Sequence, residues 1–129
     1  MIYLASPYSH TDPKIEEIRY IQACRMAGKM MKDGIHVYSP VASCRPISVM
    51  NNLPHDFAYW AGYDTEMISL CSEVVVLTLK GWEESKGVQA EISIAHAIGK
   101  PVRYINYNII AIDKETILAA SAPLVDAGL

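Results

Sequence analysis

At 129 residues the chain has the commonest size of a single domain, and one compact unit spanning residues 1–129 is expected. With 51% hydrophobic and 19% charged residues it has enough apolar material for a core and too little charge for disorder. Eleven Lys and Arg against 14 Asp and Glu leave a net charge of −3 without a polybasic cluster, which argues against a nucleic-acid polymer as partner.

No apolar run approaches the roughly 20 residues that cross a bilayer, and no basic leader precedes the first apolar residues. No membrane partner and a cytoplasmic location are therefore expected. Cys24, Cys44 and Cys71 are odd in number and contain no Cys-x-x-Cys pair, so they read as reduced, mostly buried thiols.

Ile2 to Ala5 reads as a strand that stops at Ser6-Pro7, because proline cannot donate to a central ladder. Asp12-Pro13 then supplies an N-cap acceptor and a proline at the first helical position. Tyr20, Cys24, Ala27 and Met31 recur at helical spacing, and the spacing predicts a helix from Pro13 to Lys32, closed by Gly34. Ile35 to Ser39 reads as a second strand. Val41 to Pro54 is polar, broken by proline and without clear period, so a long functional loop is expected there.

His55 to Leu70 is aromatic and helix-compatible, and Val74 to Leu77 is apolar without alternation, as in a parallel strand covered on both faces. Gly81 to Gly87 reads as a turn, Val88 to Ile98 as a helix capped by Gly99, and Val102 to Ile105 as a strand. Asp113 to Ala120 completes the pattern as a final helix. The alternation predicts an α/β domain with three layers, an open parallel sheet of four to five strands with helices on both faces, flavodoxin-like or Rossmann-like. In such sheets ligands bind at the carboxyl ends of the strands, which singles out the loops Ser6 to Asp12 and Lys80 to Lys86.

The second of these loops runs directly into a helix, whose free backbone N–H groups favour an anion. Ser85 adds a hydroxyl there and serves equally as the helix N-cap. Glu91 lies one turn further, next to Ile92, Ile94 and Ala95; it is either a surface glutamate favoured by the dipole or a carboxylate turned inward. Asp64 supplies a second carboxylate on the preceding helix, and a carboxylate pair is what glycosyl chemistry requires. Trp60 and Trp82 are candidates to stack a base or simply to pack, with Trp82 favoured for the ligand because it lies in the site loop. His10, His36, His55 and His96 lack metal-ligand spacing, and no Gly-rich dinucleotide or P-loop motif follows the first strand.

Tyr3-Leu4-Ala5-Ser6-Pro7-Tyr8, Tyr63-Asp64, and Ser85-x-Gly87-Val88-x-x-Glu91 followed by Gly99-Lys100-Pro101-Val102 resemble the nucleoside 2-deoxyribosyltransferase superfamily over residues 2–105. The Ser6 to His10 opening and the Gly81-Trp82 pair are most similar to a branch of short bacterial and phage proteins. The resemblance implies that Glu91 is the nucleophile, that Asp64 positions the sugar and handles protons, and that Ser85 binds a 5′-phosphate, as in the 2′-deoxynucleoside 5′-phosphate N-hydrolases. It further implies that Ser6, Pro7, Tyr8, Trp82 and Gly87 surround the substrate, that no cofactor or metal is needed, and that the chain is a homodimer or larger. The expected ligand is a small nucleoside or nucleotide; the rival expectation is a nucleotide-sensing module that keeps the fold without catalysis.

Overall fold

The computed structural model describes residues 1–106. Four strands, β1 (Ile2–Ala5), β2 (Val37–Tyr38), β3 (Glu73–Leu77) and β4 (Val102–Ile105), pair in parallel in the order β2-β1-β3-β4. Four helices accompany them: α1 (Pro13–Lys32), α2 (Pro40–Asn51), α3 (Phe57–Leu70) and α4 (Lys86–Ala97). The helix expected at Asp113 to Ala120 lies outside the described residues.

Alternation along the strands divides the core into two layers. Tyr3, Ala5, Val74 and Val76 face Ile68 of α3 and Val88, Ile92 and Ala95 of α4. Leu4, Val75 and Leu77 turn the other way onto Met26, Ala27 and Met30 of α1. Both faces of β1 and β3 are thus buried, which accounts for the unbroken Val74 to Leu77 run.

The long loop expected at Val41 to Pro54 is instead mostly the helix α2. Ser39 caps it, its Oγ accepting from Ala42 N at 3.1 Å, and Pro40 fills the first position, where a missing N–H costs nothing. Pro46 inside the helix and a surface that is half-buried or exposed, with Ser48 alone buried, erase both the propensity and the apolar period. Other differences are at element ends. β2 spans two residues rather than five, because only Val37 and Tyr38 pair with β1. α4 starts at Lys86 rather than Val88, since Ser85 is its cap. No helix among the described residues is long and apolar enough to cross a membrane.

Candidate active site

Strand order reverses between β1 and β3: the chain leaves β1 for β2 on one side and returns to β3 on the other. At this switch point the carboxyl ends of the strands open into a cavity of about 610 Å³, a size suited to a small organic ligand. Ser6 and Tyr8 of the first loop enter it, as do Cys44 and Arg45 of α2, Trp60 and Asp64 of α3, and Ser85, Gly87 and Glu91 at the start of α4.

The two loops are tied by Arg19. Its Nη1 donates to the Tyr8 and Ser9 carbonyls at 3.3 and 2.9 Å, and its Nη2 donates to the Lys80 carbonyl at 3.2 Å. Gly81 accommodates this clamp at φ 90°, where an added Cβ would stand 2.6 Å from Arg19 Nη2. The clamp joins positions distant in sequence, and nothing in the local pattern around Arg19 announces it.

Glu91 points inward. It is 5% exposed, and its Oε2 is buried without a hydrogen-bond partner among the described residues. Asp64, 9% exposed, lies close enough for its charge to act on Glu91. Burial pushes the Glu91 carboxyl up to about 8, the neighbouring Tyr3 phenol draws it partly back, and the Asp64 charge raises it again. Burial likewise lifts Asp64 to about 6, again tempered by Tyr3. Near neutral pH the pair therefore holds about one proton.

Tyr3 was legible only as a core strand residue. It is fully buried, and its hydroxyl lies beside both carboxylates without meeting hydrogen-bond geometry to either; desolvation and the two negative charges hold the phenol far above its ordinary value. The Ser6 hydroxyl is also buried, without a hydrogen-bond partner among the described residues, and belongs to a residue of the cavity wall. Buried polar atoms without a protein partner are costly and are natural partners for a polar ligand.

Ser85 Oγ accepts from Val88 N at 3.2 Å, so the residue is the N-cap; it also lines the cavity, and its O–H remains as a donor. Gly87 sits between the two functional groups: a Cβ there would be 4.0 Å from both Ser85 Oγ and Glu91 Oε1. Two expected members stand apart. Pro7 is fully buried and does not line the cavity. Trp82 packs on the α3/α4 side of the core with its ring 5.5 Å from that of Tyr104, whereas Trp60 takes a place on the cavity wall, its Nε1 donating to the Pro54 carbonyl at 2.8 Å. Among the described residues no three His, Cys, Asp or Glu side chains cluster as metal ligands, and all three cysteines are free.

Fold and site together define a parallel α/β domain with an acidic, ligand-sized cavity at its strand switch point. Residues 1–107 match a family model described as a domain of unknown function (DUF1937), and the chain belongs to that family. No curated protein matches the chain.

Proposed function

We propose that the cavity cleaves or transfers the N-glycosidic bond of a nucleoside or nucleoside 5′-monophosphate, with Glu91 as nucleophile. In this proposal the chain is a branch of the nucleoside 2-deoxyribosyltransferase superfamily. What supports it above all is the convergence of two buried carboxylates, from α3 and α4, on one cavity where burial and mutual repulsion keep a single proton between them.

The mechanism uses that proton. Positive charge developing at C1′ favours the ionised form of Glu91, which transfers its proton to Asp64. The Glu91 carboxylate then bonds to C1′, the C1′–N electron pair leaves with the base, and Asp64 protonates the departing nitrogen. Water attacking C1′ next gives its proton to Asp64 and releases Glu91 with the hydroxylated sugar; a second base in place of water gives transfer instead. The Tyr3 phenol lies beside both carboxylates and tempers the rise of each.

Ser85 and the first N–H groups of α4 are assigned to the 5′-phosphate. Ser85→Ala is expected to weaken 5′-monophosphates by about 1–3 kcal/mol and to leave unphosphorylated nucleosides nearly unchanged, measured by calorimetric titration. Equal loss for both would move the phosphate elsewhere.

The whole proposal is tested by incubating the protein with nucleosides and 5′-monophosphates and following free base by chromatography. Base release supports it. Thermal stabilisation by the same compounds without release supports a binding module instead.

A second copy of the chain is the proposed partner. Ile47 and Met50 of α2 are 56% and 85% exposed, and Tyr59 and Tyr63 of α3 are about half exposed, apolar side chains on two helices that also line the cavity and that self-association would cover. Light scattering at micromolar concentration is expected to give a dimer or larger, and a monomer would refute the assignment.

A further inference from the structure

One cationic group on the cavity wall takes no part in the steps above. Arg45 belongs to α2 and lines the cavity. Its Nε donates to the Tyr8 hydroxyl at 3.2 Å, its Nη2 pairs with the Glu17 carboxylate, and its Cζ stands 4.3 Å from the Tyr20 ring centroid. The guanidinium is therefore held in one orientation.

A guanidinium has five N–H donors and no acceptor, and these contacts occupy the Nε donor and one at Nη2. The end formed by Nη1 and the second Nη2 donor makes no hydrogen bond among the described residues. Glu17 already balances the charge, so what this end lacks is an acceptor rather than an anion. The same cavity has Tyr8, Val41, Phe57 and Trp60 on its wall, apolar and aromatic side chains that suit a flat ring.

We infer that Arg45 is a specificity-determining residue that reads the leaving base, and that this base is a 6-oxopurine, guanine or hypoxanthine. The inference rests on the nucleoside function proposed above. Guanine and hypoxanthine present O6 and N7 as adjacent acceptors, which match the parallel donors of an arginine; adenine places an amino donor beside N7, against the guanidinium. The same two contacts stabilise the negative charge that spreads over the purine as the C1′–N9 bond breaks.

The test compares inosine and adenosine 5′-monophosphates, in ribo and 2′-deoxyribo forms. Binding is measured calorimetrically on the full chain carrying Glu91→Gln, and base release on the protein with Glu91 intact. Inosine 5′-monophosphate is expected to bind at least about tenfold more tightly than its adenosine counterpart. Arg45→Met is expected to abolish that difference and Arg45→Lys, whose single ammonium cannot offer two parallel donors, to reduce it several-fold, in both cases mainly through weaker inosine 5′-monophosphate binding. Arg45→Lys keeps a positive charge opposite Glu17, so it decides the matter if Arg45→Met does not fold. Equal affinity for the two nucleotides before Arg45 is changed overturns the inference. So does an equal loss for both in the variants, which is what a mere clamp on Tyr8 predicts. Arg45-dependent discrimination in binding without any base release upholds the role of Arg45 and removes the glycosidic function; base release without discrimination does the reverse.

Discussion

Glu91→Gln is expected to lower turnover about a thousandfold or more while raising stability at alkaline pH. The first effect follows from removing the atom that bonds to C1′. The second comes from burial. A carboxyl held at about 8 rather than its ordinary 4.5 is one whose neutral form the fold favours. Its contribution to stability is fully present below about pH 4.5 and is lost as pH rises to about 8, because over that range the unfolded chain gives up a proton that the native state still holds; above about 8 both are ionised and none of the contribution remains. Glutamine stays neutral throughout. The variant and the parent should therefore melt at similar temperatures near pH 5, and the variant should gain by about 2 kcal/mol or more near pH 9. Parallel pH dependences of Tm would mean that Glu91 is not held in a desolvated site. Retained turnover would remove it as nucleophile even if the stability effect appeared.

What was readable from sequence was what is encoded locally. β1, α1 and β4 have the bounds expected of them, because Pro7, the Asp12-Pro13 cap and the Gly99 turn are punctuation marks within a few residues of each element. α2 escaped since its buried positions follow no clear apolar period and Pro46 interrupts it, leaving tertiary contacts with α1 and β1 to stabilise it. The site divides along the same line. Ser85, Gly87 and Glu91 share one helix start, so their spacing carries them into the cavity together. Arg45 reaches Tyr8 and Glu17 across 37 and 28 positions, and Tyr3 meets Glu91 only through the packing of α4 on β1. No local period encodes such pairs. The two tryptophans make the point from the other direction: Trp82 lies in a site loop and turns to the core, while Trp60, in an aromatic helix that reads as packing, lines the cavity.

Asp64→Asn should change the shape of the pH–rate profile as well as its height. With both carboxylates present, the competent form carries one proton on the pair, so base release should follow a bell with limbs near 6 and 8 that belong to the pair jointly. Asparagine removes a negative charge from beside Glu91, and the Glu91 carboxyl should ionise at lower pH than before, since repulsion from Asp64 is one of the causes that raises it. The acid limb of the variant then reports Glu91 alone and lies below the alkaline limb of the parent. The alkaline limb itself should vanish, because no second carboxyl remains to lose the proton that the departing base needs. Turnover should drop about a hundredfold or more, the usual worth of a positioned general acid. The loss should be smaller for nucleosides whose base leaves readily without protonation, so a substrate with an activated base is expected to recover most of the rate in Asp64→Asn and none in Glu91→Gln. A full-rate variant with an unchanged bell would place Asp64 outside the proton path.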